Sequence, residues 1–465
     1  KNIQPLSVPK HIEEEEATNN KDNFYLKFLF NNFSQTFASK FVDKSVEDLK
    51  KDIFSIAKEG LEQGEAVLDL SFSFFNFTED KEYKTFLNSL KEDSEIQSLV
   101  LASNKDINEK VIGDFLSSFG KVKTFSNLFL YNTGLSEVSL AKPICDLLKK
   151  SKVNGILLSN DNLGDTGFDY LVKTSLAMEN SLMYLTFTSV NLSSDSLDNL
   201  AKLIDCSNLI SLISISNSNF EVKREKGFDL KAALAKKDSD GRDGCSLLKS
   251  FSKNKSLEEI SLINCNLGAE CPYMVYSFSV NPDNKIKILN FSQNGLVAED
   301  LKQILEAAKN LKMRYLILNG NKVEDLGMFH LYDYLQETYP HNSNGTNYEE
   351  RIQFIELEQN GITDKGIKLI INAIEQEYYY LKNLNLKFNK ISRRFVEQTA
   401  QAIVDFSKEN EKKMDIGKVG LDNIFKYLNI SQISIDLRRN LDMTDEDYHT
   451  CFTDVVQNEY DRFFY

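Results

Sequence analysis

The chain is poor in the residues that would interrupt or staple it. Six prolines in 465 residues leave few enforced breaks, and with 42% hydrophobic residues the composition is that of a globular chain, which excludes disorder. Six cysteines (Cys145, Cys206, Cys245, Cys265, Cys271 and Cys451) show no paired framework; they read as reduced, mostly buried thiols, which favours the cytosol. No apolar run reaches the roughly 20 residues needed to span a bilayer. Four histidines, His11, His330, His341 and His449, lie far apart, and none falls in H-E-x-x-H or another metal spacing. There is no G-x-x-x-x-G-K-[ST] phosphate loop and no G-x-S-x-G elbow, so no cofactor and no catalytic residue is expected. Positive charge is also short, with 55 Lys plus Arg against 69 Asp plus Glu and a net charge of -14. Nucleic acid, which needs a basic footprint, is not an expected partner. The chain begins at Lys1 rather than methionine, which leaves room for further residues upstream.

What is present is a repeat. Ile352 to Ile374 places Ile352, Ile355, Leu357, Asn360 and Ile362 on the spacing L-x-x-L-x-L-x-x-N-x-L, and Gly366 precedes the run Ile367, Leu369, Ile370, Ile374. The first half alternates with period two, as a strand with one buried face requires. The second half follows a period near 3.6, as a helix packed on that strand requires. The asparagine amide at the strand exit is expected to bond the open backbone groups of the turn and to form a ladder with its counterparts. Strand pairs recur in register at Leu68/Leu70, Leu99/Leu101, Leu128/Leu130, Ile156/Leu158, Leu185/Phe187, Ile213/Ile215, Ile260/Leu262, Leu289/Phe291, Leu316/Leu318, Ile355/Leu357 and Leu384/Leu386, with a twelfth at Ile435/Leu437. The position of Asn360 is filled by Asn104, Asp161, Cys265, Asn294, Asn321, Asn389 and Asn440, and elsewhere by smaller or apolar residues. Asp161 is a partial substitute, because an ionised carboxylate accepts a hydrogen bond and cannot donate one.

The predicted organisation is a flexible acidic tail over 1–23, a helical N-terminal cap over 24–64, a repeat array over 65–443 with an insertion at 221–244 and a loop at 336–351, and a C-terminal cap helix over 444–465. The caps cover the open apolar flanks that every solenoid leaves at its two ends. These residues resemble the ribonuclease-inhibitor-type leucine-rich repeats. The resemblance implies an α/β solenoid of about twelve repeats, horseshoe-shaped, with parallel concave strands and convex helices. Its overall plan is similar to the repeat core of CARMIL-type actin regulators; nothing in the chain matches that family's capping-protein-binding segment. The resemblance implies a non-catalytic scaffold binding a protein partner, including an actin-regulatory complex, in the cytoplasm or peripherally at the plasma membrane.

Two surfaces are candidates for binding. On the concave face, Phe129, Tyr131, Tyr184, Tyr315, Phe354, Lys387, Arg438 and Arg439 are predicted to face a protein partner, since aromatics supply large contact area at low entropic cost. The plainer account is that several of them pack against one another across adjacent strands. In the insertion, Lys223, Arg224, Lys226, Lys236, Lys237 and Arg242 form a basic run suited to an anionic phosphoinositide membrane, at about 1 kcal/mol per basic residue near the surface. Its plainer account is a solvated face. A third reading, a GTPase-activating protein of the RanGAP type, needs an arginine in an early repeat. The first arginine here is Arg224, and a lysine cannot supply the planar bidentate contact.

Overall fold

A computed structural model describes residues 67–69, 81–94, 96–102, 108–177, 181–222, 224, 228–235, 245–338, 351–375, 381–398, 434–436 and 440. The predicted tail, both caps and the core of the 336–351 loop fall outside these residues. Strands and helices alternate: β1 (Val67–Asp69), α1 (Lys81–Ser89), β2 (Ser98–Ala102), α2 (Glu109–Phe119), β3 (Asn127–Tyr131), α3 (Glu137–Leu148), β4 (Gly155–Ser159), α4 (Gly164–Leu176), β5 (Tyr184–Thr188), α5 (Ser196–Cys206) and β6 (Leu212–Ser216). The series continues with α6 (Leu230–Ala235), α7 (Cys245–Phe251), β7 (Glu259–Ile263), α8 (Glu270–Ser279), β8 (Ile288–Asn290), α9 (Ala298–Ala308), β9 (Tyr315–Ile317), α10 (Glu324–Thr338), β10 (Phe354–Glu356), α11 (Asp364–Glu375), β11 (Asn383–Asn385) and β12 (Ser434–Asp436). All twelve strands form one open parallel sheet in strict sequence order. Each strand pairs in register with its neighbours, so that Leu128, Ile156, Leu185, Ile213, Ile260, Leu289, Leu316, Ile355 and Leu384 stand in one row.

That row faces the helices because strand side chains alternate and the helices offer a matching stripe. In α2 the buried residues Val111, Ile112, Phe115, Leu116 and Phe119 recur every three or four positions. The helix starts where the Asn108 side chain accepts from Val111 N at 3.0 Å, satisfying one of the amides left open at a helix start. Phe115 and Phe119 are fully buried, each contributing about 1.5–3 kcal/mol by leaving water. Core residues from Leu87 to Val396 form a single continuous cluster, which is why no repeat stands alone.

The strand exits are held by two ladders. In the first, Asn294, Asn321, Asn360, Asn389 and Asn440 each donate an amide hydrogen to the carbonyl of the inward residue one repeat earlier: Leu262 (2.7 Å), Phe291 (3.1 Å), Leu318 (2.9 Å), Leu357 (2.8 Å) and Leu386 (2.9 Å). Each amide oxygen accepts from backbone of the preceding turn, as Asn389 does from Asn360 N (2.9 Å) and Ile362 N (3.1 Å). Cys265 keeps the pattern with a thiol donated to Ile215 O at 3.4 Å, and burial pushes that thiol up to about 12. Upstream the ladder decays. Ser218 is buried without a partner for its hydroxyl, and Asp161 accepts from Thr133 N and Oγ1, both at 2.7 Å, through one oxygen while the other has no partner.

The second ladder was not anticipated. Aspartates in the first turn of a helix accept from the next repeat: Asp165 from Ser193 N (2.9 Å) and Oγ (2.6 Å), Asp325 from Thr363 N (2.8 Å) and Oγ1 (2.7 Å), and Asp364 from Ser392 N (2.6 Å) and Oγ (2.7 Å). Gly366 lies inside α11 rather than before it. Its missing side chain lets Asp325 approach, since a Cβ there would sit 2.6 Å from Asp325 Oδ1 and 2.9 Å from Ile362 Cγ2.

Candidate interaction surface

Residues between the inward leucines point away from the helices and form the open face of the sheet. At its N-terminal end Val100 and Phe129 are buried in a small cluster of their own, with half-buried Tyr131 and Leu157 packed against them. Its separation from the main core marks it as lying on the other side of the sheet. The centre is lined by small hydroxyls, Thr186, Ser214 and Ser261 in one row and Thr188 and Ser216 in the next, with Ser216 Oγ 3.0 Å from Thr188 Oγ1. Towards the C-terminal end Tyr315 and Phe354 occupy the same register position on β9 and β10, and their rings stack at 4.4 Å and 10°.

The expected concave residues therefore divide. Phe129, Tyr315 and Phe354 are each under 9% exposed and are packed against neighbours, as the plainer account held. Tyr131 and Tyr184 are half-buried and present surface. Lys387 is half-buried beside the β10 carboxylate Glu356, close enough to lower its pKa. Arg438 and Arg439 lie outside the described residues.

The carboxylates of this face, absent from the list of expected site residues, are its main electrostatic feature. Glu356 accepts from Asn319 Nδ2 at 2.7 Å and Glu358 from Asn385 Nδ2 at 2.7 Å. Burial pushes the Glu356 carboxyl above its ordinary value, the Asn319 bond opposes this, and the adjacent Glu358 charge adds to it. Glu259 is raised too, by burial, against the single bond donated by Ser261 Oγ at 3.1 Å. The signal for these residues was available in the sequence: each is a charged residue flanking or lying between the two apolar positions of a strand.

In the insertion, Arg224 requires a correction. Instead of facing a membrane it is turned inward, with only 12% of its side chain exposed. Its guanidinium donates Nε to Glu270 Oε1 (2.7 Å) and Nη2 to Glu270 Oε2 (2.5 Å), and Nη1 reaches Cys245 Sγ at 3.3 Å. It lies 4.2 Å over the Phe228 ring, which meets Tyr273 edge-on. The physical reason is Glu270, itself 4% exposed at the start of α8, where a carboxylate out of water demands a bidentate cation. Lys223, Lys226, Lys236, Lys237 and Arg242 lie outside the described residues. Among the described residues no cluster of His, Cys, Asp and Glu could hold a metal ion, and no helix is long and apolar enough to cross a membrane.

No model of a known protein family matches the chain. It is 25% identical over 446 residues to NACHT, LRR and PYD domains-containing protein 4E of Mus musculus, an alignment covering 88% of this chain and 40% of that protein. It is 22% identical over 280 residues to NACHT, LRR and PYD domains-containing protein 14 of Mus musculus, covering 60% and 25%. The chain thus spans less than half the length of these curated relatives. Among solved structures, a chain from the crystal structure of Rad7 and Elc1 complex in yeast aligns with a TM-score of 0.42 at 12% identity, over 85% of this chain and 91% of that one. Relatives named for their leucine-rich repeats, together with an unclosed parallel sheet alternating with helices, support a protein of the leucine-rich-repeat type.

Proposed function

We propose that the chain is a non-catalytic, cytoplasmic leucine-rich-repeat scaffold that binds a protein partner through the open face of its sheet. The observation that carries this reading is the set of half-buried residues Tyr131, Leu157, Tyr184, Ile288 and Ile317, distributed over the open face on the rigid, register-locked strands β3, β4, β5, β8 and β9. Aromatic and aliphatic side chains fixed in this way lose little entropy on binding. The low-identity relatives, named for the same repeats, support the scaffold role. A role in actin or leading-edge regulation rests on the resemblance of overall plan alone. The test is a pull-down with the full chain from lysate of its source cell, repeated with Tyr131→Ala/Tyr184→Ala. A specific protein retained by the parent and lost with the variant is expected; equal retention would overturn the assignment to the open face.

The phosphoinositide alternative loses Arg224 to Glu270 and rests on Lys223, Lys226, Lys236, Lys237 and Arg242. Sedimentation with phosphoinositide-containing liposomes, with and without Lys236→Ala/Lys237→Ala, tests it; binding unchanged by the variant removes the insertion as the lipid site. A catalytic arginine of the RanGAP kind has no candidate in an early repeat, and Arg224 is held by a buried carboxylate.

A further inference from the structure

Along the first row of the open face, Tyr184, Leu212, Glu259, Ile288 and Tyr315 stand side by side on β5 to β9. Glu259 is the one charged residue in a run of aromatic and aliphatic neighbours. Its carboxylate accepts from Ser261 and, among the described residues, meets no cation. A carboxylate held among apolar groups costs stability that a glutamine would not, so its presence calls for a partner from outside. Three strands further on stand Glu356, with Lys387 near it, and Glu358. The described side chains of this face thus carry three acids and one base. With strands about 4.8 Å apart and residues about 3.3 Å apart along them, Glu259 and Glu356 are separated by roughly 16 Å.

We infer that the open face between β5 and β11 docks a basic segment of a partner protein, with one lysine or arginine seated on Glu259 and a second meeting the Glu356 and Glu358 end. The aliphatic stem of the first cation lies over Tyr184 and Ile288, and its charged head meets the half-buried Glu259 carboxylate. Burial raises the Glu259 and Glu356 carboxyls above their ordinary values, the condition in which an added cation gains most. In a helical partner the two cations would be about eleven residues apart, at 1.5 Å per residue. This inference rests on the open face being the binding surface, and it names the chemistry of what binds there.

A phage-displayed library of random 16-residue peptides, selected on the full chain, provides the probe. Selected peptides are expected to be enriched in lysine and arginine, and their Kd for Glu259→Gln is expected to be about 10- to 100-fold weaker, the range for losing a hydrogen-bonded charge contact. Misfolding cannot mimic this result, because Glu259→Gln removes a desolvated charge and is expected to unfold at a higher temperature than the parent at neutral pH. Peptides without basic enrichment that are lost on Tyr184→Ala would overturn the inference and leave the open-face reading in place. Basic peptides bound equally by Glu259→Gln would overturn it as well. Binders indifferent to both substitutions, or no binders at all, would count against both readings.

Discussion

Asp161→Asn should stabilise the N-terminal half of the array, and by an amount that depends on pH. Asp161 is 1% exposed, and one of its carboxylate oxygens has no partner. In five later repeats the equivalent amide donates to the inward residue of the preceding strand. The corresponding carbonyl here belongs to Leu130. An ionised carboxylate offers that carbonyl a second acceptor, and a buried unmatched polar group costs about 1–3 kcal/mol. The bonds from Thr133 are retained by an amide oxygen but lose their charge assistance, so the net gain near pH 7 should be about 1–2 kcal/mol. Burial raises the Asp161 pKa, partly offset by the Thr133 bonds and by the Gly134 backbone amide. The native chain therefore holds this proton at pH values where the unfolded chain has lost it. The carboxyl's contribution is complete below about pH 4 and is lost as pH rises through the raised native pKa. Asparagine imitates the protonated form at every pH. Because a solenoid can open locally, the assay is native-state amide exchange at Asn132, Thr133 and Asn160. Protection should rise about 5- to 30-fold at pH 8 and hardly at all at pH 4. A gain equal at both pH values, or none at pH 8, would refute the argument.

Arg224→Ala should cost about 3–5 kcal/mol in urea denaturation, because it leaves Glu270 buried and unpaired. Adding Glu270→Gln should return part of that loss, and a single-variant cost under about 1 kcal/mol would contradict the buried pairing. Asn360→Ala removes donations to Leu318 O and Glu358 O, both at 2.9 Å, and an acceptor for Val323 N, and should cost about 2–4 kcal/mol by the same denaturation. Gly366→Ala should cost about 1–3 kcal/mol despite the better helix propensity of alanine, because its Cβ meets Asp325 and Ile362. A neutral result there would mean that α11 shifts outward freely.

The strands were legible because one physical rule, alternate burial, acts on every repeat in the same way, and the register of Leu128 through Leu384 follows from it. The asparagine ladder was legible for a related reason: a turn with open carbonyls selects a side chain that can both donate and accept. The aspartate ladder escaped because its halves lie 28 to 38 residues apart, and an aspartate in the first turn of a helix already has a local explanation in the helix dipole. Arg224 was misread for the opposite reason. It sits in a run of basic residues, and only the tertiary placement of Glu270 separates it from them. Phe129, Tyr131, Tyr184, Tyr315 and Phe354 were all expected to face a partner, but exposure depends on the neighbouring strand. Tyr315 finds Phe354 and is covered, while Tyr184 is flanked by Gly155 and Leu212.

Polar groups are left short of partners away from the open face as well, as Asp161 and Ser218 are, and what sets the open-face carboxylates apart is that they stand where a partner can reach them. Towards the helices, Asn294 through Asn440 make their hydrogen bonds inside the protein, and Glu270 has its arginine. Such groups hold the array together and leave nothing over for a partner. On the open face, Glu259 has one hydroxyl among apolar neighbours, and Glu356 and Glu358 are met by two amides, with Lys387 near Glu356. Selection for stability alone would favour glutamine at 259, since the strand and the Ser261 contact would both survive the exchange. Asp161 is equally under-satisfied but lies inside the ladder, out of reach of any ligand, so its burden is a defect of packing. Glu259 can be reached from solvent, and there the same deficit becomes a binding determinant.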